Sequence, residues 1–163
     1  MNTLKNLVKI VVAMAIVGGT IAIAAAGEIS KKNVIIRKWS ENMFKGFEKG
    51  LELRGRTLTT TEKRLVQEEI GKSAVKIADI VEHDGLLEEY YQHLTDPELE
   101  EINEEVLRAK TIVEVRQLFI KQMSFLSQKH PKVYDWAFSS SEAKNVISDM
   151  MLNLSLTLNH TSR

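Results

Sequence analysis

Between Ile10 and Ala26 the chain runs for 17 residues without a charge, and Thr20 is the only polar side chain among them. Such a segment has three destinations: removal, a bilayer, or the interior of a fold. A cleavable secretory signal needs a basic start, an apolar middle and small residues where the peptidase cuts. Lys5, Lys9 and the free amine supply the start, and Ile10 to Val17 the middle. Gly18-Gly19 weakens the helix, and Ala24-Ala25-Ala26 before Gly27 gives an A-x-A cleavage pattern, with a second at Ala22-Ile23-Ala24.

A retained anchor fits the same residues. As a helix the run spans roughly 25 Å, a little short of a hydrocarbon core of about 30 Å. Lys9 and Glu28 are placed to extend it by snorkelling. Gly18, Ala22 and Ala26 recur every four residues, as do Ala15 and Gly19, giving a face small enough to pack against another helix. Basic residues follow the run (Lys31, Lys32, Arg37 and Lys38) as well as precede it. Under the positive-inside rule that favours a cytoplasmic domain if the anchor stays. The same residues sit awkwardly behind a cleavage site. The sequence therefore leaves membrane association and export both open. It divides the chain into a signal or anchor, residues 1–27, and a single domain, residues 28–163.

That domain reads as all-α. Two prolines and eight glycines in 163 residues leave long stretches without breakers. Ile36, Trp39, Met43, Phe47 and Leu51 mark the apolar face of a first helix near 30–53. Gly46 and Gly50 inside it leave room for a close neighbour. Val66, Ile70, Ala74, Ile77 and Val81 mark a second helix over 61–83, stopped by Asp84-Gly85. A short helical piece follows over 86–94. Leu99, Ile102, Val106, Ala109, Val113, Ile120 and Met123 predict one long helix from Pro97 to Gln128, roughly 48 Å in length. The β-branched stretch from Thr111 to Val115 is outvoted by that period. Val133, Tyr134, Trp136 and Phe138 form an aromatic connector that plugs one end of the core, and a last helix over 140–158 uses Ala143, Ile147, Met150, Met151 and Leu154. Capping boxes at Thr59/Glu62, Thr95/Glu98 and Ser139/Glu142 open three of these helices. The expected architecture is an antiparallel bundle of about four helices preceded by the apolar amino-terminal helix.

Charge is balanced overall, 22 basic against 22 acidic residues, but unevenly spread. Residues 28–64 carry a net +5, residues 65–105 a net −11, and residues 106–163 a net +4. The balance argues against a nucleic-acid partner. Two interaction surfaces are candidates: the basic cluster Lys31, Lys32, Arg37 and Lys38, and the acidic cluster Glu98, Glu100, Glu101, Glu104 and Glu105. Complementary helix faces within one bundle explain the same blocks.

The absence of cysteine excludes disulfides, thiolate metal sites and cysteine nucleophiles. The four histidines, His83, His93, His130 and His160, show no metal-ligand spacing beyond Glu89 and His93, which fall four apart. Phosphate-loop, dinucleotide, zincin and hydrolase motifs are missing. Ser139-Ser140-Ser141 reads as a helix cap, and His83-Asp84 as a pair of adjacent residues, which rarely converge on one substrate atom. Asn153-Leu154-Ser155 and Asn159-His160-Thr161 match glycosylation sequons. No catalytic residue, metal, cofactor or small-molecule substrate is expected. The sequence points to a non-enzymatic protein that engages a protein partner or itself, and touches a membrane through its amino terminus. A membrane-permeabilising protein that self-associates through Gly18, Ala22 and Ala26 is the alternative. A metal site or enzyme built on Glu89 and His93 is a third.

Overall fold

The computed structural model describes residues 25–161, with side chains from Ser30 to His160. Ala15, Gly18, Gly19 and Ala22, and the apolar run up to residue 24, lie outside the described residues; Ala26 falls on the first helix, its side chain undescribed. Among the described residues the fold is all-α: α1 (Ala25–Glu52), α2 (Thr60–His83), α3 (Leu87–Leu94), α4 (Pro97–Arg108), α5 (Ile112–Lys129), α6 (Pro131–Ser139) and α7 (Ser141–Thr161). That is seven helices where about four were expected. Two causes account for most of the difference: the helix expected over 97–128 is two, and the aromatic connector is itself helical.

The central element is α2, which packs against both α1 and α7. Its expected face is the buried one: Val66, Ile70, Ala74, Ile77 and Val81 are all enclosed, with Ser73 and Ala78 widening the stripe. Thr59 caps α2 as a full capping box, its hydroxyl accepting the Glu62 N–H at 3.1 Å while the Glu62 carboxylate accepts the Thr59 N–H at 2.9 Å. Gly55 (φ +76°) and Gly85 (φ +72°) take the left-handed conformation in the turns after α1 and α2, where a side chain would be strained. Gly46 and Gly50 are not used for close packing, since a Cβ at either would meet nothing within 4 Å.

Ion pairs fix the direction of neighbouring helices. Lys32 on α1 reaches Asp79 and Glu82 near the end of α2, and Lys63 near the start of α2 reaches Glu48 near the end of α1, so the two run antiparallel. Asn153 to Glu69 at 2.8 Å and the Arg56 guanidinium to the Leu158 carbonyl at 3.3 Å set α7 antiparallel to α2. Arg56 also pairs with Glu62 at 3.1 Å, so one side chain joins the α2 cap to the end of α7.

The chain leaves the helical path at Ala109 (φ −59°, ψ 142°) and Thr111 (φ −135°, ψ 155°). Thr111 then caps α5, its hydroxyl accepting the Glu114 N–H at 3.1 Å while Glu114 accepts the Lys110 N–H at 2.6 Å. Beyond this elbow α5 doubles back along α4, as Lys121–Glu105 (2.8 Å) and Lys129–Glu98 (2.5 Å) show. The buried face does not carry through the elbow, although the apolar spacing in the sequence does. Leu99, Ile102 and Ala109 are buried, whereas Val113 and Ile120 are exposed.

Two other caps sit one residue further on than expected. Asp96, not Thr95, caps α4 by accepting the Glu98 N–H at 3.0 Å; Ser140, not Ser139, accepts the Ala143 N–H at 3.2 Å. The Thr95 and Ser139 hydroxyls instead donate back to carbonyls four residues earlier, of Tyr91 and Asp135.

Candidate functional site

The basic cluster lies on α1 facing the acidic elements. Lys31 pairs with Glu88 on α3. Lys32 sits between Asp79 at 2.7 Å and Glu82 at 3.0 Å. Burial would lower its pKa, but these two carboxylates outweigh it and raise the ammonium above its ordinary value. Lys38 approaches Glu100 on α4 at 3.9 Å, and Arg37 pairs along its own helix with Glu41 at 3.8 Å.

The acidic cluster on α4 is similarly engaged. Glu98 and Glu105 meet α5 lysines, Glu100 meets Lys38, and Glu104 pairs with Arg108 at 2.9 Å. Glu101 is exposed and makes no ion pair among the described residues. The structure thus brings the two clusters together at Lys38–Glu100, and turns most of both toward neighbouring helices. Surface pairs of this kind contribute about 0–1 kcal/mol each.

Glu89 and His93 do not converge. Glu89 points to Lys132 at 3.0 Å on α6, while His93 is buried. No cluster of three or more metal-ligating side chains occurs among the described residues. His83 and Asp84 touch at 3.2 Å, but the other Asp84 oxygen accepts the Trp136 indole N–H at 2.8 Å. That bond, then His83, holds the Asp84 carboxyl below its ordinary pKa. The pair pins α6 to the end of α2. Trp136 packs edge-on against Tyr90, with ring centroids 5.5 Å apart, so the connector does close one end of the core through Val133 and Trp136, while Phe138 stays exposed.

Two features escaped the sequence. The first is uncovered apolar surface. Ile112, Val113 (62% exposed), Phe119 (57%) and Ile120 (68%) stand out from α5; Ile147, Met151, Leu152 (59%) and Leu156 stand out from α7. Ile147 and Met151 were expected in the core, but α7 buries only the narrower stripe Ala143, Met150, Leu154 and Leu158. The second is a cavity of about 540 Å³ bounded by α1, α3, α4, α5 and α7. Trp39, Tyr90, Leu94 and Leu99 line it alongside Phe119 and Met151, so the exposed faces of α5 and α7 meet at its rim.

His93 also lines this cavity. It is 8% exposed, and its Nδ1 has no hydrogen-bond partner among the described residues. The ring stands among Tyr90, Phe125 and His130, the last with its centroid 5.4 Å away. Burial, then the neighbouring His130, lowers its pKa to about 4, with Asp96 acting weakly in the opposite sense. His93 is therefore neutral near pH 7. His130 is anchored instead, its Nε2 lying 3.0 Å from Asp96 Oδ2. Burial opposes ionisation of Asp96, but the bonds from His130 and the Glu98 N–H prevail and keep its pKa low. Tyr90 is buried too, which pushes its phenol pKa up, partly offset by a hydrogen bond with Trp39.

No described helix is long and apolar enough to cross a membrane. No protein-family model, curated protein or solved structure matches the chain, so its residues alone carry the functional reading.

Proposed function

We propose that this is a non-enzymatic interaction protein, a helical domain delivered to or held at a membrane by its apolar amino-terminal segment and acting through protein–protein contacts. In this reading the helical domain, built on α2 between α1 and α7, is preceded by the apolar run as signal or anchor. The observation that carries the reading is the concentration of exposed large apolar side chains on α5 and α7. Isolated exposed leucines are ordinary on any protein, but grouped apolar faces mark surfaces that another molecule covers. The charged clusters give less support, because they are largely spent on pairing α1, α2, α4 and α5 with one another.

A photo-cross-linking residue in place of Ile120, in the full-length chain inside cells, tests this directly. Gln67, exposed on α2, is the control position. Protein adducts, to a second copy or to another chain, are expected at 120 and not at 67. Equal labelling at both positions would falsify the reading. Adducts to lipid alone would replace it with the membrane-remodelling alternative, for which a Gly18→Leu variant should then abolish the phenotype.

A further inference from the structure

We propose that the uncovered faces of α5 and α7 meet on a second copy of this chain, with α5 of one copy lying parallel to α7 of the other. This rests on the protein-contact reading and names its partner. The two faces carry the same pattern. Arg116, Phe119 and Met123 on α5, and Asp149, Leu152 and Leu156 on α7, each fall at positions i, i+3 and i+7, along one side of a helix. Phe119 is 57% exposed, Leu152 59% and Leu156 49%; Met123 is half-buried, and both charged residues are exposed.

Charge selects the pairing. Arg116 and Asp149 make no ion pair among the described residues, and each is the one charge in its series. Laid parallel, the two series match position for position: Arg116 against Asp149, Phe119 against Leu152, Met123 against Leu156. Parallel pairing of either helix with its own copy sets like charges opposite each other, which is costly. Antiparallel pairing of any two sets a charge against an apolar side chain, so the charge loses water and gains no partner. Of these arrangements, only α5 beside α7 in parallel joins the two charges.

Each copy owns one of each helix, so a two-fold dimer makes the contact twice and closes. A lipid surface fits the same faces less well, because Asp149 would be pressed against anionic headgroups or into hydrocarbon.

The chain has no cysteine, so introduced thiols report this contact alone. Two differently tagged full-length copies are co-expressed, one with Phe119→Cys and the other with Leu152→Cys, and cells are treated with a short thiol-to-thiol cross-linker. Both positions are exposed, so the substitutions leave the core untouched. The two tags should be joined, whereas Gln67→Cys in place of either should give no product. Arg116→Asp in the first copy should cut the yield about three- to tenfold, and Asp149→Arg in the second copy should restore it. A role for either charge within one copy would not be restored across copies. No joining, equal joining of two copies that both carry Phe119→Cys, or a yield indifferent to charge reversal would overturn the proposal. If a photo-cross-linker at Ile120 still captures a different chain, the second-copy proposal alone falls. If it captures no protein, the protein-contact reading falls with it.

Discussion

The α1–α2 side and the α5–α7 faces differ in how completely the chain satisfies its own surface. On α2 the apolar stripe is enclosed from Val66 to Val81, and its flanking charges find partners on α1. On α5, Phe125 and Leu126 are the only buried residues, while Val113, Phe119 and Ile120 face outward. One region is organised to hold the fold and the other retains apolar area that the fold does not use. Interaction surface is commonly found in that second condition.

The sharpest way to break the comparison is to shorten one isoleucine on each side. Ile70→Ala, at a fully enclosed position, should cost about 2–5 kcal/mol through lost burial and a residual cavity. Ile120→Ala should change stability by no more than about 0.5 kcal/mol. Urea denaturation of the full-length chain in one fixed membrane mimetic measures both. Similar losses would show that α5 is covered after all.

Acidification addresses the junction between the regions, where His93 sits. Its pKa is lowered to about 4 in the fold against 6.5 when free. The unfolded chain therefore takes up a proton that the folded chain refuses. The stability from this group is fully present above about pH 6.5, falls as pH drops toward 4, and is gone below that. The loss amounts to roughly 3 kcal/mol across the window. Glu88 and Glu89, held below their ordinary 4.5, and Asp84 and Asp96, held below their ordinary 3.8, begin to lose their contributions as pH falls through those ordinary values. In His93→Phe the decline between pH 6.5 and 4 should flatten, as followed by thermal melts at stepped pH.

Arg56→Ala should cost roughly 1–3 kcal/mol, because the buried Glu62 carboxylate loses a partner and the Leu158 carbonyl a donor. Hydrogen exchange should then rise at the end of α7 before it rises in α2. Smallest is Thr111→Ala, about 1 kcal/mol from a lost cap, with faster exchange confined to the first turn of α5.

Helix existence was legible where one apolar period ran between clear signals, as from the Thr59 capping box to Gly85. The elbow was missed for a physical reason: Leu99, Ile102, Val106 and Ala109 continue in phase into Val113, so the period conceals the break. Yet Thr111-Ile112-Val113-Glu114 carries the same Thr-x-x-Glu signature that was read correctly at Thr59. Thr95 and Ser139 misled because Asp96 and Ser140, one residue later, offer equally good capping groups. The cavity was beyond reach of pattern reading, since its lining is gathered from five helices and a period describes only one at a time. For the same reason the burial of His93 was not legible, since it depends on Phe125 and His130 as much as on its own helix.

The elbow at Ala109–Thr111 has a geometric consequence for the face beyond it. An α-helix turns about 100° with each residue, so the length of this short non-helical joint sets the compass bearing of everything on α5. Adding or deleting one residue at Lys110 would swing Phe119 and Ile120 toward a different quarter and, by the same rotation, turn Phe125 and Leu126 away from the core. The joint thus sets at once which side chains of α5 are turned inward and which are left outside.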